Sequence, residues 1–136
     1  STKAVFGIGD VLYGKLRPNL RKVAVAPVDG VCTTEILVLR PIADGDTWFL
    51  WSVLRGDAFT QQAMGLVAGA SLPRVKAKDL MRIGIPWPDT TERRRLARRA
   101  ELFHSSLVRL DRVQALARDA DRALAEAITR SSLVDL

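Results

Sequence analysis

Residues 9–22, GDVLYGKLRPNLRK, carry four long cations, Lys15, Arg17, Arg21 and Lys22, with the short amide of Asn19 between them. Gly14 frees the backbone for a turn and Pro18 fixes another, so the cations sit on a rigid turn. Ammonium and guanidinium groups held this way suit phosphate oxygens. A second basic run, Ser71-Leu72-Pro73-Arg74-Val75-Lys76-Ala77-Lys78, has charge at alternate positions. In a strand that alternation puts Arg74, Lys76 and Lys78 on one face. The plain alternative for both runs is solvated surface: a basic loop, and an edge strand whose lysines discourage aggregation.

Other chemistries are harder to assemble. His104 falls within a helical pattern, far in sequence from Cys32, and a single His on a helix is more often a surface or packing residue than a general base. One Cys and one His cannot make a metal site of the usual kind, and one Cys gives no disulfide. Asp44 and Asp46 form a loop pair that would hold a cation only weakly. No Walker-type glycine loop, dinucleotide fingerprint or Asn-Pro-Pro-Tyr-like motif is present; Gly7-Ile8-Gly9 lacks the third glycine, and Glu35 is followed by Ile-Leu rather than x-Lys. No catalytic residue, metal or cofactor is expected.

The whole composition fits this emphasis on charge. The chain has 136 residues, 48% of them apolar, enough for one domain with its own core. Lys and Arg number 21 against 15 Asp and Glu, a net charge of +6 and a pI near 10.2, which points to a polyanionic partner. No apolar run approaches the roughly 20 residues that span a bilayer, and there is no signal-peptide pattern at the start. The expected location is cytoplasmic. The chain opens on Ser1 without a Met and turns strand-like at once, which reads as a fragment lacking its natural N-terminal part.

Two kinds of element must position these groups. Residues 4–40 read as sheet: 4–6, then Val11, Leu12 and Tyr13, then 23–28, then 31–39 as one β-rich run, with a hairpin expected at the Asp29-Gly30 pair. Trp48, Phe49, Trp51, Leu54 and Phe59 suit one or two short buried helices over 47–64, their aromatic rings in the core. After the second basic run a helical turn is expected over 79–82 and a last strand over 83–86. From Asp89, with Glu92 three residues on in a capping-box arrangement, there is no Pro or Gly as far as Arg130. A helix of that length reaches roughly 60 Å. Leu96, Ala100, Phe103, Leu107, Leu110, Val113, Ala117, Ala120, Leu124 and Ile128 make a stripe with coiled-coil spacing, which predicts a partner helix. Gln114 and Asp121 fall near the stripe, where they could set its register. Arg93, Arg94, Arg95, Arg98 and Arg99 crowd the first turns against the helix dipole, which suggests phosphate contacts or an acidic partner. The expected fold class is α+β, a small mixed β-rich domain over 1–88, one long coiled-coil-forming helix over 89–130 and a tail over 131–136.

Four blocks in order carry a resemblance. They are 9–18 (GDVLYGKLRP), 30–41 with Gly30-Val31-Cys32-Thr33-Thr34-Glu35 and Val38-Leu39-Arg40-Pro41, then Ser71-Leu72-Pro73-Arg74-Val75, then Ile85-Pro86-Trp87-Pro88 before the helix. Together these resemble the target recognition domain of type I restriction-modification specificity subunits over nearly the whole chain. The family's usual Glu-Gln at the helix start is here Glu92-Arg93. The resemblance implies a non-catalytic subunit that reads one half of a bipartite site in double-stranded DNA. Its long helix would pair antiparallel with a second such helix, and it would dock adenine-N6 methyltransferase subunits and a restriction subunit. One recognition domain and one helix resemble a half-subunit or C-terminal fragment. On that reading Lys15, Arg17, Arg21, Lys22, Arg74, Lys76 and Lys78 contact phosphates, while Asn19 and Ser71 or an inserted Arg read bases. The C-terminal specificity domain of a single-chain adenine-N6 methyltransferase would share every block. A pure coiled-coil interaction module would leave the basic turns inert.

Overall fold

A computed structural model describes residues 2–131. Five short strands come first, β1 (Lys3–Phe6), β2 (Val11–Gly14), β3 (Val23–Val25), β4 (Gly30–Thr33) and β5 (Ile36–Leu39). Helices α1 (Thr47–Arg55), α2 (Asp57–Gly65), α3 (Ala77–Leu80) and α4 (Thr90–Arg130) follow. The chain divides into two compact units, the first ending at Glu101 and the second beginning at Leu102. The expected tail over 131–136 lies, from 132 on, outside the described residues.

In the first unit β2 is the central strand of an antiparallel sheet ordered β3-β2-β5, and β1 pairs with β4 in a separate two-stranded sheet. Period-two alternation drives Val11 and Tyr13 to one face of β2, where Leu54, Phe59, Ala63, Val75 and Leu80 enclose them. Tyr13 meets Phe59 edge to face with ring centroids 5.7 Å apart, and burial pushes its hydroxyl pKa up. Trp51 Nε1 donates to the carbonyl of Val23 at 3.1 Å, so a core aromatic also ties α1 to the sheet. The two short helices and their buried aromatics agree with the sequence pattern.

Several local expectations are corrected. Asp29-Gly30 makes no hairpin, because β3 pairs with β2 and β4 pairs with β1. The β2–β3 ladder extends to Ala26, and Pro27 has no N–H to continue it. Asp29 instead accepts the N–H of Ile8 at 2.8 Å. Gly30 sits under the ring of Phe6, where an added Cβ would come 2.6 Å from Cζ. The single strand expected over 31–39 is broken at Thr34-Glu35, where the Glu35 carbonyl and carboxylate are both drawn to neighbouring segments. Gly14 is not a turn residue but the last residue of β2, and Lys22 Cε would lie 3.1 Å from any Cβ there. Residues 83–86 form no strand; Ile83 and Ile85 pack against the core without a ladder.

Helix α4 starts where the cap residue predicts. Asp89 Oδ1 accepts the N–H of Glu92 at 2.9 Å. The reciprocal half of a capping box is missing, because the Glu92 carboxylate is taken by Arg95 at 2.6 and 2.8 Å. That fork holds the Glu92 carboxyl below its usual range. In the first unit Ala97 and Ala100 on this helix are buried. Ala100 is thus covered by its own unit and cannot belong to a seam facing another chain.

Candidate nucleic-acid interface

Residues 15–17 run antiparallel to residues 73–75. The N–H of Arg17 donates to the carbonyl of Pro73 at 2.8 Å, and the N–H of Val75 donates to the carbonyl of Lys15 at 3.1 Å, which sets Leu16 opposite Arg74. Arg74 is bonded on its other side to Ala68 through both backbone groups, at 3.0 and 3.1 Å. The two basic runs, far apart in sequence, are therefore stitched together where Leu16 faces Arg74. Val75, fully buried, fastens it to the core.

Beyond Arg17 the chain turns through a single 3-10 turn, Pro18–Leu20. Pro18 is buried, while Arg17, Asn19, Leu20, Arg21 and Lys22 are exposed and Lys15 is half-buried. Arg21 is turned back into the fold: its Nη2 lies 2.7 Å from Asp57 Oδ1, and its Nη1 donates to the carbonyl of Arg55 at 3.2 Å. Arg74 pairs with Glu35 Oε1 at 2.9 Å, and Glu35 Oε2 is buried without a hydrogen-bond partner among the described residues.

The expected common strand for Arg74, Lys76 and Lys78 does not form. Residue 74 makes an isolated bridge, Lys76 is the N-cap of α3, and Lys78 lies in its first turn, a helical segment that begins two residues before the turn expected at 79. Arg74 is paired with Leu16 and Ala68 on its two sides, but the pairing ends there because Lys76 caps α3 and the chain turns helical at Ala77. Ser71 is exposed in the bend before Pro73.

Two ion-pair clusters escaped the sequence reading. Asp10, 2% exposed, accepts Arg40 Nε at 2.8 Å and Nη2 at 2.6 Å, and also the N–H of Gly7 at 2.8 Å. The Arg40 fork holds the Asp10 carboxyl below its ordinary range against the opposing pull of burial, with the Gly7 N–H adding to it. This clamp lines a pocket of about 370 Å³ together with Ile8, Thr47 and Trp48. The signal lay in an acid between the turn Gly7-Ile8-Gly9 and strand β2, and in a lone Arg directly after β5. The second cluster corrects the reading of Asp46 as a weak cation ligand. Its carboxylate is buried and takes Arg93 Nε at 3.0 Å. Arg93 also donates to the carbonyl of Pro88 at 2.6 Å and lies over the ring of Trp87, 4.6 Å from its centre. Trp87 in turn meets Phe49 edge to face at 5.5 Å. Arg93 is thus a bolt between the helix start and the core. Arg95 pairs with Glu92, and Arg94 and Arg98 line a shallow pocket with Asp44, Trp48 and Glu101.

In the second unit the predicted stripe lies mostly open. Phe103, Leu110, Leu124 and Ile128 are exposed, as are Val113 and Ala117, and Leu107 is half-buried; Leu96, in the first unit, is half-buried as well. Leu102 and Leu116, which the stripe leaves out, are equally exposed and widen the apolar face. Cys32 lies in β4 and His104 in α4. Among the described residues no group of three or more His, Cys, Asp or Glu side chains could hold a metal ion, and no helix is long and apolar enough to cross a membrane.

No family model matches the sequence. The specificity subunit of the type I restriction enzyme EcoDI from Escherichia coli is 34% identical over 101 residues, which are 74% of this chain and 22% of that subunit. The crystal structure of the HsdS subunit from Thermoanaerobacter tengcongensis superposes with a TM-score of 0.61 at 30% identity, over 88% of this chain. In sequence and fold the chain matches part of a type I restriction specificity subunit. A structure described as showing complex assembly and conformational transition of the type I restriction-modification system matches 97% of the chain at 28% identity, with a TM-score of 0.66. The chain spans 32% and 36% of those two solved chains, so it corresponds to part of a specificity subunit. The α+β class and the long helix expected from the sequence hold in the structure.

Proposed function

We propose that the chain recognises double-stranded DNA as the specificity component of a restriction-modification complex, using the patch formed by residues 15–22 and 71–78. The observation that carries this reading is the ladder between Lys15–Arg17 and Pro73–Val75, which gathers separate cations onto one backed surface. Lys15, Arg17, Lys22, Lys76 and Lys78 supply phosphate contacts, and Arg74 joins them by exchanging Glu35 for a phosphate. Arg21 serves chiefly to hold the turn. Asn19 and Ser71, exposed and neutral, have the reach and chemistry to bond base edges. Residues 1–88 recognise and the helix of 89–130 pairs, through its exposed stripe beyond Leu102, with the helix of a second recognition unit. Methyltransferase subunits, and a restriction subunit where cleavage occurs, dock on that assembly and supply the chemistry. A cytoplasmic location follows from that role.

Selection from a random duplex pool, with sequencing of the bound fraction, tests this directly. The expected result is enrichment of one short sequence and an affinity that falls steeply with salt, with a slope near the number of phosphates neutralised. Equal binding to all duplexes at moderate salt would reduce the patch to a non-specific basic surface. Concentration-dependent self-association with no response to DNA would leave only the coiled-coil role.

A further inference from the structure

Arg17 and Arg21 flank the 3-10 turn, and both adopt the left-handed conformation, with φ of 51° and 48°. A side chain in that region brings its Cβ against the neighbouring carbonyl, whereas glycine enters it freely. Arg17 is doubly disfavoured, because the ring of the following proline pushes the preceding residue toward extended backbone. For Arg21 the fold supplies a reason to keep a side chain there, since Asp57 and the carbonyl of Arg55 both hold its guanidinium. For Arg17 it supplies a reason only for the backbone. Its N–H is fixed by Pro73, its carbonyl accepts the N–H of Leu20 at 3.0 Å, and among the described residues its side chain makes no hydrogen bond, ion pair or ring contact. A glycine would satisfy every one of those internal constraints with less strain.

We infer that Arg17 is held in this conformation to clamp a backbone phosphodiester of duplex DNA, independently of base sequence. The inference rests on the recognition reading above and assigns this residue one role within it. Leu16 is half-buried and Pro18 buried on either side, while Arg17 itself is exposed. Lys15 and Lys22 beside it add charge without competing carboxylates of their own, a surrounding suited to a run of phosphates.

The test compares the full chain with Arg17→Gly and Arg17→Lys, reading the unfolding midpoint and the binding of two labelled duplexes, one of random sequence and one recovered by selection. Arg17→Gly is expected to raise the midpoint by about 2–4 °C, and to weaken binding to both duplexes about tenfold at ~0.1 M salt while lowering the salt slope by about one. Arg17→Lys keeps both strain and charge, so its midpoint stays unchanged and its affinity stays within about threefold. A lower midpoint for Arg17→Gly would show that the side chain supports the fold and would overturn the inference. So would a raised midpoint with affinity intact, or a loss confined to the selected duplex, which would make Arg17 a base reader. If the unaltered chain binds neither duplex, the recognition reading itself fails, and that is seen before any variant is compared.

Discussion

Between Thr90 and Glu101 helix α4 buries Ala97 and Ala100 and anchors Arg93 on Asp46 in the first unit, whereas from Leu102 to Arg130 the same helix buries none of its residues. Both parts carry apolar residues at three and four spacing, both are rich in Ala and Arg, and neither contains Pro or Gly. Ala97 and Ala100 end in a closed contact and Arg93 ends on a buried aspartate, while Leu110 and Leu124 are 53% and 61% exposed. Periodicity therefore reports that a face will be covered without reporting by what. That depends on residues such as Asp46, Phe49 and Trp87, which lie outside the helix and are brought to it by the fold.

A matched pair of substitutions would break or confirm this contrast. Ala100→Asp places an unpaired carboxylate in the closed part and is expected to destabilise the first unit by about 3 kcal/mol or more, read from urea unfolding. Ala117→Asp puts the same charge on the open part, where the change in stability of dilute chain is expected to stay within about 0.5 kcal/mol. Its effect should appear instead in sedimentation, as loss of concentration-dependent association. Equal, mild effects at both positions would erase the distinction between the two parts. An intact association with Ala117→Asp would move the pairing surface off the predicted stripe, toward the flank marked by Leu102 and Leu116.

The contrast sharpens further within the first unit, where Arg40 is fixed by Asp10 much as Arg93 is fixed by Asp46. The folded pKa of Asp10 lies below its unfolded value, so the ionised carboxylate favours the fold. This contribution is complete above the unfolded value of about 4 and is lost as pH falls through the folded value. Asp10→Asn is expected to lower the unfolding midpoint at neutral pH by about 5 °C. The gap between variant and unaltered chain should then narrow as pH drops below about 4. A gap that is constant from neutral pH to acid would mean that the Asp10 charge plays no part.

These ion pairs also show where the sequence was legible. Features set by neighbours along the chain could be read: β2, the paired helices over 47–64, the Asp89 cap and the uninterrupted run of α4. Features set by distant partners could not. Asp29-Gly30 has the composition of a hairpin turn, but β1 and β2 had prior claims on the strands to either side, and Pro27 ended their ladder. The alternation of Arg74, Lys76 and Lys78 obeyed strand periodicity, yet backbone pairing of residue 74 with both Leu16 and Ala68 left the next residues free to cap and start α3. In the candidate site the basic residues were visible from their spacing. Their division into engaged and open cations was not, since it turns on Asp57 and Glu35, each far away in sequence.

The smallest expected effect lies at the start of α4, where the closed part of the helix is anchored. A full capping box would satisfy two backbone N–H groups, one through each side chain. Here Asp89 serves the N–H of Glu92, but Glu92 is held by Arg95 and leaves its half unmade. Asp89→Ala therefore removes one bond and one favourable charge at the positive end of the helix, a loss of about 1 kcal/mol. Arg95→Ala removes an exposed pair and frees Glu92 to reach back toward Asp89, so the unfolding midpoint should stay unchanged. A loss from Arg95→Ala as large as that from Asp89→Ala would mean that the Glu92–Arg95 fork, and not the cap, fixes the point where α4 leaves the core.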